Sequence, residues 1–277
     1  MGNTRKTGKE QYYTPLNTAQ ACLNQLDQIA TADLYLEPCG GTGAFLKALG
    51  NRKWVSYDIE PKWSGVQRVD DFLTTDISAL QDVITISNPP FGRANSLSIP
   101  FFNKCAEVSK IIAFIIPKSW EKWSIQNRLD RRFHLVSSVD LSVDYEYEDK
   151  PTSKGVLKTV FQIWEKRDYL RDLVLIPDYG YIKKTTPSEA DLSLTVFGGG
   201  YGRVSYDFKR TERVTTQMYL KVQQPWVHEA LQQINYAHFA EKVAYVQALS
   251  YPEINYLLHH FHLTNQAYEN DQRTQAT

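Results

Sequence analysis

The segment Ser87-Asn88-Pro89-Pro90-Phe91-Gly92 follows directly on the apolar run Val83 to Ile86, and its residue types define a particular chemistry. An amide, two rigid imino acids and an aromatic ring at a strand end can hold a flat, amine-bearing group between hydrogen-bond acceptors and a stacking face. Such a set suits methylation of a planar nitrogen. The lone pair of an amine on an aromatic ring is delocalised, so an acceptor must pull on its hydrogens as charge develops at the attacking nitrogen. Asn88 Oδ1 and the Pro89 carbonyl are the acceptors at hand. Each proline ring fixes its own φ, and Pro90 biases Pro89 toward extended conformations. Acceptors held this way lower the entropic part of the barrier. Phe91 adds a π-face, and base–aromatic stacking contributes about 1–3 kcal/mol. The same residues also make an ordinary turn with Phe91 in a core, so the flanking elements have to decide.

Those elements agree with a site. Leu34-Tyr35-Leu36 reads as a buried strand that runs into Glu37-Pro38-Cys39-Gly40-Gly41-Thr42-Gly43 and then the helical stretch Ala44 to Leu49. Strand, glycine turn and helix form the layout of a nucleotide-type cofactor site, with glycines letting backbone approach the ligand. A second strand, Trp54 to Tyr57, ends in Asp58, a carboxylate placed for a ribose diol. A third, Val69 to Leu73, offers Asp71 for an adenine amino group and Phe72 for its ring. Three strand ends therefore precede the Asn-Pro-Pro-Phe loop in a consistent order.

On these motifs, over about residues 10–165, the chain resembles the amino N6-adenine methyltransferases that use S-adenosylmethionine. That family has an (E/D)-P-x-x-G-x-G cofactor loop and an N-P-P-(F/Y) catalytic loop, here Glu37 to Gly43 and Asn88 to Phe91. Gln11-Tyr12-Tyr13-Thr14-Pro15 is similar to its additional motif at the methionine end of the cofactor. The resemblance implies a cofactor shell of Tyr13, Thr14, Glu37, Gly40, Gly43, Asp58, Asp71 and Phe72, with Asn88, Pro89, Pro90 and Phe91 as the catalytic loop. It implies nucleic acid as partner, DNA before RNA, and a gamma-like motif order. The interval from Asp71 to Asn88 leaves no room for an inserted recognition domain, so one is expected downstream. Methylation of RNA adenine, of a protein glutamine amide, and a non-catalytic scaffold are the alternatives in order. The glutamine enzymes generally carry Tyr after the prolines.

The fold class expected is α/β, a doubly wound and mostly parallel seven-stranded sheet with a smaller C-terminal β-rich and helical region. Its apolar periodicity supports this. Ala19, Cys22, Leu23, Leu26 and Ile29 mark a helix over 15–30, Pro100 opens another through Ala106, and Ile111 to Ile116 is a fully apolar strand. Trp120 to Arg132 reads as a helix, followed by an antiparallel pair, Leu135–Val143 and Val156–Trp164. Between them lies an acidic loop, where Tyr145 or Tyr147 offers a second stacking ring, although tyrosines among acids are also a plain solvated turn. Lys118, near Trp120 and Trp123, could face a nucleic-acid channel, or the tryptophans pack their helix.

The catalytic domain is expected over 1–166 and a substrate-recognition region over 167–263. Within the latter, short β-prone runs alternate with turns, and Lys183, Lys184, Arg203, Lys209 and Arg210 mix with tyrosines in a way suited to phosphate contacts and stacking. Residues 226–263 read as helical, and 264–277 as a disordered tail. His259, His260 and His262 crowd one turn, but no carboxylate or cysteine motif completes a metal set. At 277 residues and 42% hydrophobic content the chain can build one sizeable core plus an appended unit. No apolar stretch reaches the roughly 18 residues of a membrane span. The polar N-terminus lacks a secretory signal, and three unpaired cysteines suggest reduced thiols in a cytoplasmic setting. A net charge of zero argues against avid non-specific nucleic-acid binding.

Overall fold

The computed structural model describes residues 12–141, 146–147, 150–151 and 157–275, and the chain divides into two compact units, Met1–Leu173 and Val174–Thr277. In the first unit the elements are α1 (Leu16–Asp27), β1 (Tyr35–Glu37), α2 (Ala44–Leu49), β2 (Trp54–Asp58), β3 (Arg68–Val69), β4 (Val83–Ser87), α3 (Ser98–Cys105), β5 (Ser109–Pro117), α4 (Trp123–Gln126), β6 (Phe133–Leu141) and β7 (Thr159–Lys166). The seven strands form one sheet in the order β3-β2-β1-β4-β5-β7-β6. All neighbours are parallel except β7, which runs antiparallel to both β5 and β6. This is the doubly wound, mostly parallel seven-stranded sheet expected from the sequence.

Why the central strands are uniformly apolar is visible in where their side chains go. On β5, Ile112, Phe114 and Ile116 enter one buried cluster, while Ile111, Ala113 and Ile115 enter the other, on the face that holds α1 and α2. Alternation along the strand therefore feeds two cores, and polar side chains buried on the sheet are paired, Thr85 with Ser109 and Ser87 with Glu37. Phe102 on α3 anchors the first cluster, meeting Phe114, Trp120, Phe133 and Trp164 edge-to-face at 5.5–6.1 Å.

The helix expected over Trp120–Arg132 is not continuous. Lys118–Glu121 is a 3₁₀ turn, Lys122 is extended at φ −84° and ψ 134°, and α4 covers only one turn. Trp120 is pulled fully into the core, its indole N–H donating to Ser98 Oγ at 3.3 Å. Gln126 and Asn103 side chains then take backbone carbonyls at 120 and 128 that a helix would need. Tertiary packing overrides periodicity here.

The second unit carries an antiparallel sheet of β8 (Ile182–Lys184), β9 (Leu192–Thr195), β10 (Val204–Ser205) and β11 (Gln217–Val222) in the order β8-β11-β9-β10, then α5 (Val227–Gln233), α6 (Ala237–Ala240) and α7 (Tyr251–Gln275). The helical stretch expected over 226–263 is interrupted between α6 and α7. There Leu249 N–H bonds the Val196 carbonyl and Gly198 N–H the Gln247 carbonyl, so the segment joins the end of β9 instead. The tail expected to be disordered from 264 continues α7 to Gln275. No glycine or proline breaks it after Pro252, and Thr264 and Gln266 side chains tie back to His260 and His262 four residues earlier. His259 stacks on Tyr179 at 3.7 Å and His262 on Trp226 at 4.7 Å, a packing role. Among the described residues no group of His, Cys, Asp or Glu is placed to hold a metal ion, and no helix is long and apolar enough to cross a membrane.

Candidate active site

Strand order reverses between β1 and β4, and a cleft of about 310 Å³ opens at their carboxyl ends. Ligands bind open α/β sheets at this point because the loops of the two neighbouring strands diverge. Asp58, Asp71 and Phe72 border the cleft from one side, Asn88, Pro89 and Pro90 from another, and Tyr12 and Tyr13 from a third. The structure thus brings together the cofactor and catalytic elements read from the sequence.

The glycine turn is built by exclusion. Gly40 N–H bonds the Tyr57 carbonyl at 2.8 Å, and Gly43 N–H bonds the Gly40 carbonyl at 2.7 Å. Gly43 sits at φ 77° where α2 begins, and a Cβ there would lie 2.3 Å from the Trp63 ring. Trp63, which no sequence motif singles out, covers this turn and packs equally closely on Gly65. A Gly43→Ala change therefore adds a left-handed backbone penalty of about 1–2 kcal/mol to the displacement of an indole. The expected outcome is a lower melting temperature together with cofactor affinity weakened by about tenfold per 1.4 kcal/mol, read by calorimetry.

Glu37 lies beneath the turn rather than in the cleft, 2% exposed. Its Oε1 accepts from the Ser87 hydroxyl and from Cys39 N–H, joining the glycine turn of β1 to the last residue of β4. Burial pushes its carboxyl up to about 8 from an ordinary 4.5. The two hydrogen bonds pull it the other way, and Asp58 adds to the rise. Asp58 clasps the loops, its oxygens accepting from Gly41 N–H and Glu60 N–H at 2.7 Å each, and each oxygen retains a lone pair toward the cleft. Asp71 caps its own turn through Leu73 N–H and is exposed. Phe72 is largely a core residue, stacked on Phe101 at 5.6 Å.

At the Asn-Pro-Pro-Phe loop the amide of Asn88 has a fixed direction. Nδ2 donates to the Tyr12 carbonyl at 3.0 Å and to Thr14 Oγ1 at 3.1 Å. A carbonyl only accepts, so the amide cannot be turned around. Oδ1 is left buried with no hydrogen-bond partner among the described residues. Phe91, expected to offer a stacking face, is 4% exposed, does not border the cleft, and is stacked against Tyr12 at 5.9 Å. Its carbonyl accepts from Leu97 and Ser98 N–H, which draws the residue inward. Tyr13 packs over Gly41, within 3.4 Å of where a Cβ would stand, and Thr14 is buried.

Lys118 is held by both oxygens of Asp140 on β6 at 2.6 and 2.7 Å. Tyr145 lies outside the described residues. Tyr147 falls in a two-residue ladder, Glu146–Tyr147 with Lys150–Pro151. Arg203 belongs to the second unit, on the turn before β10.

The residues of the cleft fit S-adenosylmethionine: a glycine turn with Gly41 on the cleft wall, the carboxylates Asp58 and Asp71, and Asn88 with its unpaired Oδ1. No family model matches this sequence, nor does any curated protein. Among solved structures, the chain is similar to a candidate RNA methyltransferase from Pyrococcus horikoshii, at 16% identity over 60% of this chain and 92% of that one, with a TM-score of 0.45. It is similar to the modification subunit of a candidate type I restriction enzyme from Vibrio vulnificus, at 12% identity over 59% of this chain and 46% of that one, TM-score 0.41. The N-methyltransferase NodS from Bradyrhizobium japonicum, in complex with S-adenosyl-L-homocysteine, is 12% identical over 56% of this chain and 89% of its own, TM-score 0.41. At these identities the likeness is to the fold and goes no further.

Proposed function

We propose that this chain transfers a methyl group from S-adenosylmethionine to the N6 amine of adenine in a nucleic acid, with DNA preferred to RNA. The observation that carries the reading is Asn88 Oδ1, a buried acceptor with no partner, aimed by the two bonds its own amide makes. Leaving such an atom unpaired costs about 1–3 kcal/mol, a cost that a bound donor group would relieve. An amine bearing two hydrogens on a flat ring is that donor.

S-adenosylmethionine, when bound, supplies a methyl group on a positively charged sulfur. Gly41, which lines the cleft, would bring backbone to it, Gly40 and Gly43 shape that turn beneath Val66 and Trp63, Asp58 would accept from its ribose, and Asp71 from its adenine. The chain's own part in the reaction is orientation and polarisation. Asn88 Oδ1 accepts one amine hydrogen and the Pro89 carbonyl the other, which localises the nitrogen lone pair as the new bond forms. No group of tuned basicity is required, since the proton becomes acidic only once that bond exists. A paired adenine must first leave its stack, at a cost of a few kcal/mol.

The test is to incubate the full chain with radiolabelled S-adenosylmethionine and, in parallel, DNA, RNA and total protein. Digestion to nucleosides and mass spectrometry should find N6-methyladenine in the DNA arm. Label appearing only in protein, on glutamine, would overturn the assignment of substrate.

A further inference from the structure

We infer that Tyr12, rather than Phe91, presents the aromatic face to the ring bearing the acceptor amine, and so selects heteroaromatic amines over simple amides. The inference rests on the proposed transfer to adenine and adds a second determinant to it. Phe91 follows Pro90 in sequence, yet its ring is buried, absent from the cleft wall, and already stacked with Tyr12 at an interplanar angle of 23°. A target ring cannot occupy the face that Tyr12 covers. Tyr12 is half-buried and borders the cleft.

One residue therefore does two things. The Tyr12 carbonyl receives Asn88 Nδ2 at 3.0 Å, which sets the direction of Oδ1. The same residue lines the cleft together with Asn88, and its ring is stacked on the buried Phe91. A planar amine whose hydrogens reach Oδ1 thus has the Tyr12 ring as its neighbouring π-surface. A glutamine amide has no ring to lay there and would gain only the hydrogen bonds. The side chain, and not the hydroxyl, carries this effect, because offset stacking depends on the π-face.

The variants Tyr12→Ala, Tyr12→Phe and Phe91→Leu separate the roles, with the full chain and S-adenosylhomocysteine present. The probe is 2-aminopurine riboside, whose fluorescence falls when it stacks on an aromatic ring. Tyr12→Ala should lose the quenching and lower kcat/KM on DNA by about 10- to 100-fold, while Tyr12→Phe keeps both and Phe91→Leu keeps the quenching. Quenching retained in Tyr12→Ala but lost in Phe91→Leu overturns the inference. If DNA is methylated on adenine and Tyr12→Ala matches wild type, the stack is wrong and the reaction stands. If wild type quenches the probe through Tyr12 yet methylates no adenine, the stack stands and the reaction is wrong.

Discussion

Asn88→Ala is expected to lower single-turnover methyl transfer by at least about 10²–10³-fold, the effect of deleting one preorganised polar group at a reacting atom. The structure shows why the loss should fall on the chemical step. Oδ1 has no structural partner to lose, so its removal leaves the fold's hydrogen bonds intact on that side. The other half of the amide does hold structure, through Tyr12 and Thr14, and Ala frees both. Asn88→Asp isolates that contribution. It keeps an oxygen toward the cleft but sets a carboxylate against the Tyr12 carbonyl, and only the Thr14 hydroxyl can turn to donate. Asn88→Asp should therefore retain more transfer than Asn88→Ala. S-adenosylhomocysteine affinity, measured by calorimetry, should remain close to wild type in the Ala variant. Transfer within tenfold of wild type in Asn88→Ala would remove the acceptor from the mechanism.

Glu37 leads to the second large effect, on stability against pH. In the folded chain its carboxyl keeps a proton up to about pH 8, whereas the unfolded chain releases it near an ordinary 4.5. Across that window the native state binds more protons than the unfolded state, so stability falls as pH rises, by up to about 1.4 kcal/mol per pH unit. The contribution is whole below pH 4.5 and gone above about 8. Glu37→Gln mimics the protonated acid: its amide oxygen can still accept from Ser87 and Cys39 N–H, and it has no charge to bury. Thermal melts from pH 5 to 8 should show wild type losing stability relative to Glu37→Gln at each step, because Asp58 and every other titrating group is common to both. Parallel pH profiles for the two proteins would mean that Glu37 is ionised in the fold.

Much of this was legible in the residues, and the part that was not has a common cause. The strands of the first unit announce themselves because two covered sheet faces favour apolar runs, unbroken from Ile111 to Ile116 on β5. The glycine turn and the Asn-Pro-Pro loop are local in sequence, so type and spacing suffice to find them. What escaped is long-range. That Trp63 would fill the space over Gly43 depends on a chain reversal twenty residues on. Lys118 reads as a free cation until β6 brings Asp140 across to it. Trp120, Trp123 and Arg132 have helical spacing, but the core's claim on the Trp120 indole cannot be seen from periodicity. Phe91 is buried against Tyr12 for the same reason, since which of two adjacent rings lies outermost is decided by packing.

The bond between Glu37 and Ser87 spans 50 residues of chain and joins neighbouring parallel strands. A growing polypeptide that has emerged only as far as β3 already contains every glycine of the turn and its contacts with Tyr57, Asp58 and Trp63, but not the Ser87 hydroxyl that ties Glu37 beneath it. Pairing between such distant segments is slow to form. Affinity for a nucleotide-sized ligand should accordingly arrive in a single step, when β4 docks. From then on, any such ligand binding only the completed sheet would pull assembly forward, by about 2.7 kcal/mol at a hundredfold excess over its dissociation constant.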